Sequence, residues 1–215
     1  MKKYFICSDI HGYYYEWMKA LKEAGFDINN NEHIIICCGD LIGKGSYQKK
    51  CLEFVCNLID KNRIITIKGN HEDLINQALA RNGFIQYNGN YLCKNDMILL
   101  NDLEYLDYND DIIATMKKNK NWEKYNANLI NYYETNNYVF THSWIPCYIN
   151  NFRTEATKFK PLEDWHKASN KQWEDARWIN SYLAWEQNIK DTKTAITFFN
   201  LCLFLSYFSV IVKHV

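Results

Sequence analysis

Hydrophobic positions in the first part of the chain follow two alternating patterns. Short runs of β-branched, aromatic and cysteine residues, typical of buried strands, cover Lys2–Cys7, His33–Cys38 and Arg63–Lys68. Apolar residues recur at helical spacing over the intervening and following segments, Tyr14–Ala24, Tyr47–Asp60 and Glu72–Ala80. Strand and helix therefore alternate, which predicts an α/β fold built on a parallel sheet.

Each of the three predicted strands ends in a loop that carries carboxylate, imidazole or amide side chains. The loops read Ser8-Asp9-Ile10-His11-Gly12, Gly39-Asp40 and Gly69-Asn70-His71-Glu72. The carboxyl ends of neighbouring parallel strands meet at the crevice where open α/β folds bind ligands. A mixed set of oxygen and nitrogen donors suits Mn, Fe or Zn better than Ca. The pattern therefore predicts a dinuclear metal site.

In their order along the chain, these loops resemble the motifs of calcineurin-type metallophosphoesterases, specifically the prokaryotic and phage branch of the serine/threonine protein phosphatases. That family's pattern is DxH, GDxxDRG, GNHE, a histidine in a strand-end loop, and GHxH. The first four motifs are matched by Asp9 and His11, by Asp40, by Asn70 and His71, and by His142 in Thr141-His142-Ser143-Trp144. The resemblance runs from about residue 1 to residue 190. It implies a β-sheet sandwich flanked by helices.

The resemblance also implies a chemistry, the hydrolysis of phosphoesters with two divalent metal ions. Mn is the first expectation for these ions, and Fe or Zn are the alternatives. The implied ligands are Asp9 and His11 for the first ion, Asp40 as the bridge, and Asn70 and His142 for the second. Two such ions activate a bridging water and clamp the phosphoryl oxygens. His71 would protonate the leaving alcohol, since an imidazole suits proton transfer near neutral pH.

The chain departs from the family pattern in the residues that would bind phosphate. Gly43 and Lys44 stand where the family's second motif has Asp and Arg. Lys44 can meet a phosphate as a point charge but lacks the bidentate fork of arginine. Without a carboxylate at position 43, the imidazole of His71 is expected to lack its orienting partner. Arg177 lies where the family carries a second phosphate-binding arginine, and stacking among neighbouring tryptophans is the equal alternative.

The largest departure lies at the C-terminal end. No GHxH motif follows the predicted strand near Thr194–Phe198, and the later sequence contains a single histidine, His214. The eighteen residues of Ala195–Val212 contain no charge, which is the lower limit for a membrane-spanning helix. We therefore divide the chain into a metallophosphoesterase domain, 1–194, which lacks the last motif of the family pattern, and an atypical hydrophobic tail, 195–215. The tail could be a membrane anchor, buried β-structure or the product of an altered reading frame.

Composition narrows the class of protein further. Lys and Arg total 25 and Asp and Glu total 25, so no electrostatic footprint for nucleic acid is visible and no nucleic-acid partner is expected. The first strand begins without a secretion signal before it, and the eight cysteines show no CxxC spacing. These features favour a cytoplasmic protein with reduced thiols. The mostly helical, polar segment Asn101–Glu134 is expected to form a cap beside the site.

The function that these observations favour is a phosphoprotein (Ser/Thr) phosphatase, with a phosphorylated protein or a small phosphoester as its partner. Two alternatives stay open. The missing ligand motif would suit a catalytically impaired pseudophosphatase that binds phosphorylated partners. A dinucleoside polyphosphate hydrolase would use the same centre on another substrate. His33 and His166 match no motif and are expected to be ordinary surface or helix-end residues.

Overall fold

In the computed structural model of the chain, residues 2–103, 109–150, 158–179, 184, 194–197 and 211–214 are described. The helices within these residues are α1 Tyr14–Glu23, α2 Gln48–Asp60, α3 Asn70–Arg81, α4 Lys94–Leu100, α5 Asn109–Lys117, α6 Lys120–Ala127 and α7 Asn170–Ala176. The strands are β1 Lys3–Cys7, β2 His33–Cys38, β3 Ile64–Ile67, β4 Gln86–Tyr87, β5 Asn90–Tyr91, β6 Leu129–Ile130, β7 Tyr133–Glu134, β8 Tyr138–Thr141, β9 Cys147–Asn150, β10 Lys158–Pro161, β11 Thr194–Thr197 and β12 Ile211–His214. A 3-10 turn covers Trp165–Lys167.

Two sheets organise the fold. The larger has the strand order β12-β1-β2-β3-β6, and the smaller has the order β11-β8-β7. Strands β1, β2, β3 and β6 run parallel, while β12 pairs antiparallel with β1. The α/β class and the parallel sheet predicted from the sequence are confirmed.

The central strands are buried on both faces, which explains their continuous hydrophobic runs. Side chains alternate between the faces of a strand, so neighbouring residues join different cores. Phe5, Ile35 and Cys37 pack against the helices with Trp17 and Val55. The opposite face packs against the smaller sheet through Tyr4, Ile6, Ile34, Ile36, Cys38, Ile67 and Phe140. This cluster between the two sheets is the core of the sandwich that the resemblance implied.

The segment expected as a cap is built into the main core where it is described. Its helices α5 and α6 pack against α3 and α2, respectively. Their buried side chains join the same hydrophobic cluster as β1 and α1, through Ile112, Met116, Trp122 and Tyr125. Lys117, the last residue of α5, and Lys118 are exposed, in keeping with the polar character of this segment. The insert, Asn101–Glu134, therefore contacts the site from the core of the protein, through a hydrogen bond of Tyr125 that is described below.

The described parts of the hydrophobic tail are strands. β11 pairs parallel with β8, and β12 pairs antiparallel with β1. His214 is opposite Lys3, so it lies at the amino end of β1, whereas Asp9 follows the carboxyl end. Five residues of strand span roughly 13–17 Å, which separates His214 from the ligand loops.

Two further sequence expectations concern membranes and thiols. Within the described residues, no helix has the length and apolar character needed to cross a membrane. The cysteines of this part of the chain are free, and most are buried. Burial raises the pKa of the Cys51 thiol above its usual range, so such thiols stay protonated and unreactive.

Candidate metal centre

Three of the predicted ligands have a left-handed backbone. The φ angles are 53° for Asp9, 49° for His11 and 53° for Asp40. This conformation is uncommon outside glycine, costs about 1–3 kcal/mol, and occurs preferentially at functional sites. The two loops are joined directly, because the backbone N–H of His11 donates to the Asp40 carbonyl at 2.8 Å. The strained residues therefore form one unit at the carboxyl ends of β1 and β2.

The carboxylate of Asp40 lies between two imidazoles. Its Oδ2 is 3.8 Å from His11 Nε2, and its Oδ1 is 3.6 Å from His142 Nε2. Asp9 Oδ1 lies 3.7 Å from His11 Nε2, and Asn70 Oδ1 lies 2.8 Å from His142 Nε2. Donors bound to one ion at about 2.1 Å lie roughly 3–3.5 Å apart. The five predicted ligands therefore converge around Asp40, at spacings within a few tenths of an ångström of that range.

Backbone carbonyls orient both imidazoles. Nδ1 of His11 lies 3.1 Å from the Ile42 carbonyl oxygen, and Nδ1 of His142 lies 2.8 Å from that of Cys38. A ring whose Nδ1–H donates in this way presents Nε2 to the cluster, as metal-binding histidines do. Gly39 permits the close approach, since a Cβ there would lie 2.6 Å from His142 Nδ1.

Buried carboxylates dominate the electrostatics of the centre. Burial raises the pKa of Asp40 to about 6. Burial, followed by repulsion from Asp40, raises the pKa of Glu72 to about 7. Burial alone would lower the pKa of His142, but the carboxylates of Asp40, Asp9 and Glu72 and the hydrogen bond to the Cys38 carbonyl together offset it and leave that pKa raised. The cluster therefore favours bound positive charge, which a divalent cation would supply.

Glu72 is a structural residue of the site that the sequence analysis did not assign. Its carboxylate accepts the backbone N–H groups of Asp40 at 3.1 Å, Leu41 at 3.0 Å and Gly69 at 2.8 Å. Tyr125, from the insert, donates its hydroxyl to the same carboxylate at 3.3 Å. Glu72 thus fixes the second and third ligand loops relative to each other. A glutamate at the third position of a helix is a capping signal, which could have indicated this role.

His71 lies at the edge of the cluster with an unusual environment. Its Nε2 is 4.0 Å from Asp40 Oδ2, and its ring meets that of His11 edge-on with centroids 4.8 Å apart. Its Nδ1 is buried without a hydrogen-bond partner among the described residues. Burial, then the charges of His11 and Lys44, lower its pKa to about 4. Donor atoms of His11, Asp40 and His71 lie within 4.8 Å of one another, so distance alone admits His71 as a ligand or as a proton donor.

Gly43 explains why position 43 supplies no carboxylate to the Nδ1 atom of His71. With φ at +148°, a Cβ at this position would lie 2.4 Å from His11 Nδ1 and 2.9 Å from His71 Nδ1. Contacts under 3 Å force the neighbours to move, and both neighbours belong to the centre. The loop conformation therefore leaves no room for a side chain at position 43.

Restoring the family's aspartate is accordingly expected to damage the site. Gly43→Asp should lower the free energy of unfolding by about 1–3 kcal/mol and reduce metal content. Thermal unfolding and metal analysis measure the two effects. Gly83→Asp is the control, because a Cβ at Gly83 meets nothing within 4 Å. A Gly43→Asp variant with unchanged stability and higher activity would show instead that the loop can shift and rebuild the pair.

The two predicted phosphate-binding cations have different surroundings. Lys44 is exposed, and its charge contributes to the lowered pKa of His71, which indicates proximity to the centre. Arg177 is buried; its Nε donates to Asp73 Oδ2 at 2.6 Å and its Nη1 to Asn131 Oδ1 at 3.0 Å. An ion pair to the first turn of α3 therefore holds Arg177, and its contact with phosphate stays a prediction. Trp185, one candidate for stacking, lies outside the described residues.

Comparison with known proteins identifies a matching family model and several relatives. A family model described as calcineurin-like phosphoesterase matches residues 2–200. The symmetrical bis(5'-nucleosyl)-tetraphosphatase of Buchnera aphidicola subsp. Baizongia pistaciae is 32% identical over 108 residues, which are 50% of this chain and 36% of that protein. The serine/threonine-protein phosphatase 2B catalytic subunit A1 of Saccharomyces cerevisiae is 36% identical over 69 residues, 31% of this chain and 12% of that protein.

The chain thus matches about a third or less of the length of these relatives. The crystal structure of a provisionally assigned diadenosine tetraphosphatase has a TM-score of 0.52 at 10% identity. The match covers 98% of this chain and 89% of that one, and it shows a shared fold. Because the family model covers most of the sequence, including every matched motif, the chain belongs to the calcineurin-like phosphoesterase family.

Proposed function

We propose that this chain hydrolyses phosphoesters with two divalent ions, Mn being the first expectation and Fe or Zn the alternatives. The position of the Asp40 carboxylate, between the Nε2 atoms of His11 and His142, carries the proposal. Asp9 and His11 would hold one ion, and Asn70 and His142 the other. When bound, such ions supply Lewis acidity toward phosphoryl oxygens and lower the pKa of a water molecule.

Side chains of the protein would bind the phosphate and protonate the leaving oxygen. Lys44 offers an exposed ammonium beside the centre for a phosphate oxygen. His71, whose Nε2 lies 4.0 Å from Asp40 Oδ2, would deliver a proton to the leaving oxygen. Glu72 would keep the ligand loops in register during both steps, through the three backbone N–H groups that it accepts.

By the motifs alone, a phosphoprotein is the first candidate substrate. Dinucleoside polyphosphates are the second candidate, because curated relatives in Buchnera aphidicola and Anoxybacillus flavithermus are bis(5'-nucleosyl)-tetraphosphatases. The test is hydrolysis with added Mn, assayed in parallel on a phosphoserine peptide, diadenosine tetraphosphate and an aryl phosphate. No turnover of any of the three, with both ions bound, would favour a non-catalytic binder of phosphorylated partners.

The two metal sites are expected to fill in sequence. Asp9, His11 and Asp40 give the first ion its full implied set, whereas the second lacks the imidazole of the absent GHxH motif. A lost ligand should cost more than the roughly 10–100-fold of a change in an outer-shell partner. We therefore expect one tight site and one at least about 100-fold weaker, with activity rising after one equivalent of Mn is bound. Calorimetry measures both affinities.

The other histidines of the chain lie where they cannot easily complete the second site. His33 begins β2, at the end opposite Asp40, and its ring nitrogens contact Asp27 and Asn30. His166 is exposed, with its Nε2 3.3 Å from Glu134, and His214 is opposite Lys3. Two equally tight sites in the calorimetry would contradict the expectation and would require either His71 or a residue of another type as a further ligand.

A further inference from the structure

A groove with an exposed aromatic rim lies beside the ligand loops. It has a volume of about 330 Å³ and lies between the start of α2 and α4. Its lining includes Tyr47, Lys49, Lys50, Ile98, Leu99 and Leu103. Tyr47 is 44% exposed, and Tyr15 next to it is 51% exposed. We call this cavity the Tyr47 groove; none of the roles assigned above uses it.

Backbone hydrogen bonds connect the Tyr47 groove to the metal centre. The N–H of Tyr47 donates to the Gly12 carbonyl at 3.0 Å, and that of Gly45 donates to the carbonyl of His11. Lys44 lies in the loop that joins Asp40 to α2, three positions before Tyr47 in the chain. Three peptide units span at most about 11 Å. A ligand with one phosphate at the centre could therefore reach the groove along Lys44.

The rim has the chemistry of a stacking platform. The rings of Tyr15 and Tyr47 meet edge-on, with centroids 4.8 Å apart at 81°. The ammonium of Lys50 lies 4.8 Å from the Tyr15 ring and 5.5 Å from the Tyr47 ring. Exposed aromatic faces combined with cations bind the π-faces of nucleobases, largely without regard to base identity.

The interior of the groove suits an uncharged group. Lys49 forms an ion pair with Asp102, and Glu53 also lines the wall, so positive and negative charges balance. Ile98 and Leu99 add apolar surface. At about 330 Å³ the groove is near the lower end of small-molecule pockets, roughly 300–1,000 Å³. This size and neutrality fit one base with its ribose, while the phosphate chain would lie over Lys44.

We propose that the Tyr47 groove binds the nucleoside of a nucleoside polyphosphate whose scissile phosphate lies at the metal centre. The proposal rests on the proposed hydrolase function. Of the two candidate substrates, it favours the dinucleoside polyphosphate over the phosphoprotein. A phosphopeptide would gain little from a short, neutral groove of this size, because an extended peptide needs a longer surface.

The test compares Tyr47→Ala with Tyr47→Phe, which keeps the ring, and with Tyr87→Ala. Tyr87 is a matched control because it is 62% exposed and lies on the β4–β5 hairpin. With Mn present, Tyr47→Ala should raise KM for diadenosine tetraphosphate by about 5- to 100-fold, the range for one lost stacking contact. Its effect on an aryl phosphate should be much smaller. Tyr47→Phe and Tyr87→Ala should stay within about twofold of wild type.

Two results would overturn the groove assignment. One is a KM for diadenosine tetraphosphate that changes less than about twofold in Tyr47→Ala. The other is an equal rise for a phosphoserine peptide, which would indicate a protein-docking surface. Calorimetry of adenosine diphosphate with the metal-free protein separates the two proposals. Tyr47-dependent binding without turnover of any substrate would refute the hydrolase and keep the groove, whereas hydrolysis without Tyr47-dependent binding would refute the groove alone.

Discussion

Asp40→Asn should abolish turnover and lower the metal content together. Asp40 is the residue whose two carboxylate oxygens face different imidazoles, at 3.8 Å from His11 Nε2 and 3.6 Å from His142 Nε2. An amide keeps the shape but offers one neutral oxygen, so it cannot balance the charge of two ions. The loss should exceed the roughly 10–100-fold of a change in an outer-shell partner. Steady-state kinetics and metal analysis on the same sample measure both effects.

Folding and ligation can be separated in this variant. Burial raises the pKa of Asp40 to about 6 from an ordinary value of 3.8. An acid with a raised pKa in the folded state makes a contribution to stability that declines as pH rises through about 4 to 6. The metal-free variant should therefore unfold no earlier than wild type at pH 8. Asp60→Asn, an exposed acid paired with Lys124, is the control. Near-wild-type activity of Asp40→Asn with both ions retained would refute the site.

His71→Asn should lose most of the rate on substrates with poor leaving groups, by about 10²–10⁴-fold. A phosphoserine peptide releases an alkoxide that needs a proton, whereas an aryl phosphate releases a stabilised phenolate. The loss on the aryl phosphate should therefore be much smaller. The ratio of the two kcat values is the measurement, because a general defect in folding would lower both kcat values alike.

Metal analysis of the same variant decides between two roles for His71. Retained metal with selective loss on the alkyl substrate would support a proton donor. Lost metal would identify His71 as a ligand, as its place within 4.8 Å of His11 and Asp40 donors allows. Equal losses on both substrates with metal retained would mean that His71 has another task. His166→Asn, an exposed histidine beside Glu134, should leave both rates unchanged.

Local sequence patterns determined β1, β2 and β3, the helices α1, α2 and α3 that follow them, and the loops that carry the candidate ligands. Phe5 and Ile6 face opposite cores, so β1 had to read as a continuous apolar run. The ligands follow strand ends, and parallel strands bring such ends together without further information. Strands β4 and β5, with two residues each, were missed because two residues cannot display a period.

Only the tertiary structure determined which residues surround the candidate ligands and form hydrogen bonds or ion pairs near them. Arg177 meets Asp73 across 104 residues, and Tyr125 of the insert reaches Glu72; no local periodicity encodes such pairs. Among the described residues, the Nδ1 of His71 has no hydrogen-bond partner, and the position of Gly43 leaves no room for a side chain beside it. The Tyr47 groove likewise forms where α4 packs beside the start of α2. The sequence determined which chemical groups face the crevice, because the position of a strand end follows from the local sequence. The packing of the helices and strands determined which residues contact those groups and how charges are placed around them.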